Sequence, residues 1–201
     1  FARRSTAAAP GSALDIGSRR ELFVDDYLVE RLVGRAELRL HHPEPREIAL
    51  VHDAPWEGTG SGYHSVFRDG GLYRMYYKAW HLDVQPPGKV TTNSHPLYCC
   101  YAESNDGVRW RKPELGLHEF RGSKKNNIVM APGPAGSAVA DPGHPAVFKD
   151  DNPDAPADAR YKAIIRSAKP HGVLAFKSPD GLRWAPMSDG PIITQGAFDS
   201  Q

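Results

Sequence analysis

From Gly62 onward the chain alternates apolar and polar residues with a period of two, in short runs bounded by Gly, Pro, Asn and Asp. That pattern predicts strands rather than helices. Tyr63–Arg68 reads as one strand, Asp69-Gly70-Gly71 as a tight turn, Leu72–Ala79 as an aromatic-rich second strand and Leu97–Ser104 as a third. Asn105-Asp106-Gly107 then turns the chain into Val108-Arg109-Trp110. The result is a four-stranded antiparallel meander with one long loop, His81–His95. Upstream the pattern is weaker. Leu22-Phe23-Val24 reads as a short strand, Tyr27–Leu32 as a turn or short helix, Leu38-Arg39-Leu40 as an edge strand and Glu47–Val51 as a further strand.

The meander recurs. His144–Lys149, Arg160–Arg166 and Gly172–Lys177 read as strands around an acidic, Pro-containing loop, Asp150–Asp158. Phe67-Arg68-Asp69 aligns with Phe148-Lys149-Asp150, and Tyr73–Tyr77 with Tyr161–Ile165. Ser104-Asn-Asp-Gly-Val-Arg-Trp110 aligns with Ser178-Pro-Asp-Gly-Leu-Arg-Trp184. The Asp-Gly pair supplies the positive φ that a tight turn demands, and Ser and Asp oxygens are placed to accept the turn's free amides. The Trp is placed to fold back over the hairpin. Asp106 and Asp180 therefore have structural work to do. Tandem four-stranded units suggest blades of a β-propeller. The predicted organisation is a disordered start at 1–12, an irregular segment at 13–61, a first blade at 62–112, a connection at 113–142, a second blade at 143–186 and the start of a third at 187–201. On this reading the chain is the N-terminal portion of a longer protein.

Composition agrees with many short elements. Gly 19 and Pro 18 among 201 residues exceed the usual share of about 12%. Lys+Arg 25 against Asp+Glu 24 leaves a net charge of +1, which gives no electrostatic reason to expect nucleic acid or an anionic membrane as partner. No apolar run approaches the roughly 18 residues of a membrane span. The opening Phe1–Pro10 has no apolar stretch of a signal peptide; it reads as the tail of a cleaved export signal or as a chain edge. Cys99 and Cys100 are adjacent, so in a strand they point to opposite faces and act as two small hydrophobes. No zinc spacing, phosphate cradle, Gly-x-Ser-x-Gly elbow or His-Glu-x-x-His appears. Asp150-x-Asn152-x-Asp154 opens like a calcium loop, but Ala155 and Tyr161 stand where its Gly and Glu are required. No metal and no cofactor is expected.

The hairpin motif, Leu72-Tyr-Arg-Met-Tyr-Tyr77 and Tyr98-Cys-Cys-Tyr-Ala-Glu-Ser104 resemble the five-bladed β-propeller glycoside hydrolases of families 32, 43, 62 and 68. Glu21–Leu28, Val51–Glu57 and Gly196–Gln201 are most similar to the family 32 N-terminal-like proteins of planctomycete-type bacteria. The resemblance spans residues 15–201. It implies an all-β propeller with three carboxylates at an axial funnel, cleaving glycosidic bonds of an oligo- or polysaccharide. Carried over by position, the carboxylates are Glu57 before the first inner strand, Asp141 before the second and Asp199 before the third. At the first, the family usually has Asp in a Trp-x-Asp-Pro context. His64 and His144 are implied as sugar-binding groups, and Trp56, Tyr63 and Trp80 as stacking faces. Two alternatives share the fold: a non-catalytic carbohydrate-binding or scaffold propeller, and a glycoside phosphorylase using Arg68 and Arg74 for phosphate.

Overall fold

The computed structural model describes residues 13–25, 27–91 and 95–196. The chain divides into two compact units, Phe1–Arg46 and Glu47–Gln201. The described part of the first unit contains turns at Gly17 and Gly34, both at positive φ, and no strand or helix. The strands expected at Leu22–Val24 and Leu38–Leu40 do not form, and of the turn or short helix expected at Tyr27–Leu32 a turn at Tyr27 and Leu28 is present and the helix is not. An apolar run of three residues is not a strand until a second chain segment completes its ladder, and none pairs with these. Glu47–Val51, in the second unit, likewise forms no strand.

The second unit is nearly all β. Its first sheet has the order β1-β2-β5-β6, with β1 Gly60–Asp69, β2 Leu72–Trp80, β5 Tyr98–Ser104 and β6 Ile128–Met130. β3 (Asp83–Gln85) and β4 (Lys89–Thr91) form a two-stranded ribbon inside the long loop. The second sheet has the order β11-β10-β9-β8-β7, with β7 Gly133–Ala135, β8 Ala138–Lys149, β9 Tyr161–Lys169, β10 Gly172–Ser178 and β11 Ala185–Pro186. All strand pairs in both sheets are antiparallel. A single 3₁₀ turn, Ala157–Ala159, is the only helix among the described residues.

Alternation builds two cores. Tyr76, Cys99 and Tyr101 of the first sheet meet Val147, Ala163, Ile165, Leu174 and Phe176 of the second. Tyr77, Cys100 and Ile128 point the other way, toward Phe120, Trp56 and Trp110. The two cysteines are fully buried on opposite faces. Burial pushes both thiols above the ordinary range, so they serve as packing groups.

The hairpins do what their sequences ask. Ser104 Oγ accepts the Asp106 and Gly107 amides, and Asp106 Oδ1 accepts those of Val108 and Arg109 at 2.9 and 2.7 Å. Ser178 and Asp180 repeat the pattern, with Leu182 and Arg183 amides both at 2.8 Å. Gly107 and Gly181 sit at φ 78 and 77. The outer strands differ from expectation. Val108–Trp110 is not a strand; Arg111 makes one bridge to Glu103, and β6 completes the first sheet. Ile192 and Ile193, expected to open a third blade, pair with Val173 at the edge of the second sheet. In both places the edge of β5 or β10 takes the first downstream segment whose register satisfies its free amides.

Candidate functional site

The first long strand of each sheet, β1 and β8, is bulged near its start. Gly62 pairs with Lys78 and Ser65 with Tyr76, so β1 carries one residue more than β2 across this stretch. In the second sheet Asp141 pairs with Arg166 and Ala146 with Ile164, which leaves three extra residues on β8. Bulges bend a strand and re-aim its side chains. Here they turn Tyr63 and His144 toward each other, edge to face with ring centroids 4.6 Å apart. Tyr63 is held at φ 53, a region that costs a bulky residue energy. The buried Lys78 ammonium lies 5.4 Å from the Tyr63 ring centroid and 4.4 Å from that of Trp80. Gly60 permits the approach, since a Cβ there would lie 2.2 Å from the Trp80 indole nitrogen. Ser65 Oγ accepts the Val147 amide at 3.0 Å and ties the two inner strands together.

Asp141 lies at the base of the second bulge and is 9% exposed. Its Oδ1 accepts the Gly143 amide at 3.0 Å, and its Oδ2 is 3.1 Å from Arg166 Nε. Its register partner Arg166 therefore sets its orientation.

Glu57 occupies a different environment. It is 1% exposed, and both carboxylate oxygens are occupied. Tyr77 OH donates to Oε1 at 2.6 Å, with His52 Nδ1 at 3.5 Å; Lys112 Nζ and the Ala54 amide donate to Oε2 at 2.6 and 2.8 Å. Burial opposes ionisation, but His52, Lys112, Tyr77 and the Ala54 amide together outweigh it, and the carboxyl lies at about 2. The same burial, with Cys100 and Glu57 nearby, pushes the Tyr77 hydroxyl far up and keeps it a donor. Asn127 supports the network: Nδ2 donates to Tyr77 OH at 2.8 Å, and Oδ1 accepts from the Trp56 indole at 2.6 Å. His52 Nε2 faces His64 Nε2 at 3.4 Å, and His64 stacks on Tyr77. Burial and the neighbouring His52 lower the His64 pKa.

The structure therefore sorts the residues singled out from sequence into two places. Tyr63, His144 and Trp80 share the bulge region, with Asp141 at its base. Glu57, His64 and Trp56 belong to the network beside it, where Glu57 is enclosed rather than open to a funnel. Asp199 lies outside the described residues. Arg74 is spent between the sheets, 2.7 Å from Asp69 and 2.9 Å from the Asp180 carbonyl, so it joins no phosphate cluster at the bulges. Sequence reasoning missed His52, Tyr77, Lys78, Lys112, Asn127 and Arg166. Lys78 alone carried a signal, as a lone charge in the run Met75–Trp80. Among the described residues no three His, Cys, Asp or Glu side chains gather as metal ligands. No family model, curated protein or solved structure matches the chain.

Proposed function

We propose that the two sheets are successive blades of a five-bladed β-propeller of the glycoside hydrolase type, and that the bulged ends of β1 and β8 bind and cleave a carbohydrate. The observation that carries this reading is the convergence of Tyr63 and His144, one from each bulge, with Asp141 at the start of the second bulge. Aromatic rings beside a buried cation suit a sugar, whose C–H faces pack on rings while its hydroxyls take polar partners. Glycosidic cleavage needs one protonated and one ionised carboxyl flanking the bond. In this reading Asp141 is one of the pair and Asp199 the other, and Tyr63, His144 and Trp80 hold the sugar. Glu57, with no free oxygen, positions Tyr77 and His52 instead of reacting.

One observation favours a second reading, in which the same region binds sugar without cleaving it: Glu57 is already saturated, leaving one carboxylate fewer than the family's three. Assay of the protein against a glycan panel separates the two. Asp141→Asn is expected to lower turnover by at least about a hundredfold with glycan binding retained. Normal turnover by this variant removes Asp141 from the chemistry. Binding without any cleavage by the parent protein establishes the second reading, and neither binding nor cleavage overturns both.

A further inference from the structure

Two adjoining clefts of about 370 and 320 Å³ open on either side of Trp56, between the Asp53–Trp56 loop and the segment joining Arg111 to β6. Trp56 and Lys125 line both. The indole is fixed in place by its bond to Asn127 Oδ1 and by edge-on contact with Phe120, centroids 6.5 Å apart.

Arg121 and Lys125 line the clefts, and neither makes an ion pair among the described residues. Of the acids lining the clefts, Asp53 is already met by Lys112 at 3.1 Å, which leaves Glu114.

The backbone of Arg121 is an independent sign. Phe120 and Ser123 exchange amide–carbonyl bonds of 2.9 and 3.0 Å around Arg121 and Gly122, whose φ values are 50 and 84. Positive φ at both central positions defines the hairpin turn that prefers Asn-Gly. Arginine there is strained, and strain of this kind gathers where a side chain has work to do. The turn presents the guanidinium 5.1 Å from the Phe120 ring centroid, beside the Trp56 clefts.

We infer that the Trp56 clefts bind an acidic oligosaccharide, with a sugar ring against the indole and its carboxylate or sulfate on Arg121 and Lys125. A neutral glycan would leave Arg121 and Lys125 unanswered. A nucleic acid would need a basic surface extending well beyond one five-residue segment of a chain of net charge +1. The inference stands apart from the hydrolytic reading, because it requires binding without turnover and involves none of the bulge residues.

The test is calorimetric titration with tetragalacturonate, with cellotetraose and a short single-stranded RNA as comparisons, alongside thermal unfolding. Tetragalacturonate is expected to bind, more weakly as salt rises, and cellotetraose at least about tenfold more weakly. Arg121→Asn is the decisive variant because its two effects have opposite signs. Asparagine suits positive φ, so the melting temperature rises by about 2 °C, while affinity falls about tenfold. Lys125→Ala also lowers affinity with the fold unchanged. Absence of tetragalacturonate binding, equal affinity for cellotetraose, tighter binding of RNA, or full affinity in Arg121→Asn would each overturn the inference.

Discussion

The two sheets are copies of one plan, and their differences show where a repeat is free to change. Glu103 and Lys177 hold equivalent places and pair with Arg111 and Ala185; Cys99 and Val173 likewise pair with Met130 and Ile193. Between those two contacts the outer chain advances nineteen positions, from Arg111 to Met130, in the first sheet, but eight, from Ala185 to Ile193, in the second. The additional length carries Asn127, Phe120 and the Arg121 turn, and with Lys112 beside Arg111 it seals Glu57 and forms the Trp56 clefts. The second sheet spends its extra residues on β8, in the wider bulge that follows Asp141. The inserted lengths are tolerated because they lie outside the shared ladder and leave its register intact.

The hairpins diverge in a similar way. In the first, the Trp110 indole donates to the Gly107 carbonyl at 3.1 Å. In the second, the Gly181 carbonyl accepts from Tyr76 OH of the other sheet at 2.9 Å, while Trp184 packs edge-on against Tyr76. Asp69 likewise reaches across, taking Lys149 and Tyr161 at 2.6 Å each, whereas its counterpart Asp150 pairs with Lys162 of its own sheet. One local motif thus serves as a free-standing turn in one copy and as part of the interface in the other.

Four substitutions bear on this contrast, and the largest effect is expected beside the first sheet. Glu57→Gln removes the counter-charge of Lys112 and is expected to cost about 3 kcal/mol in denaturant unfolding. Its pH dependence carries a sign. The folded carboxyl lies at about 2 against an ordinary 4.5, so its stabilisation is complete above pH 4.5 and is lost as pH falls toward 2. The Gln variant should lack that part of the acid sensitivity. An unchanged acid profile would mean that the network does not depend on the charge.

Next comes the pair Gly181→Ala and Gly107→Ala. Both place alanine at φ near 77, worth about 1 kcal/mol. At Gly181 the new Cβ would also meet Tyr76 OH at 2.6 Å, whereas at Gly107 it finds Tyr73 at an ordinary 3.5 Å. Gly181→Ala is therefore expected to cost about 2–3 kcal/mol in all. Equal costs in the two variants would erase the distinction between the interface hairpin and the free one. The smallest effect is Tyr161→Phe, about 1 kcal/mol, because Asp69 keeps Arg74 and Lys149.

Much of the β unit is legible in the residues because its signals are local. The Ser-x-Asp-Gly-x-x-Trp hairpin closes its own hydrogen bonds within seven residues, and the alternation of Leu72–Ala79 is satisfied by neighbours on either side. Upstream the reading fails for a related reason. Leu22–Val24 and Leu38–Leu40 have strand-like composition, but composition without a partner makes no ladder. The candidate site was legible only in part. Tyr63 and Trp80 could be singled out as aromatics in or next to predicted strands, and Asp141 and His144 from their places at the start of the second repeat. Lys112 stands 55 positions from Glu57 and carries no mark of it.

What the sequence by itself determined is the all-β plan, its repetition, the two tight hairpins and the opposed burial of Cys99 and Cys100, all set by periodicity and turn chemistry over a few residues. What only the tertiary structure decided is which segment became the fourth strand of each sheet, where the inner strands bulge, and that Glu57 is enclosed while Tyr63 meets His144. Those outcomes depend on register between distant segments. Shifting a strand by one residue exchanges the face of every side chain on it, and the choice is made by the packing of both sheets together.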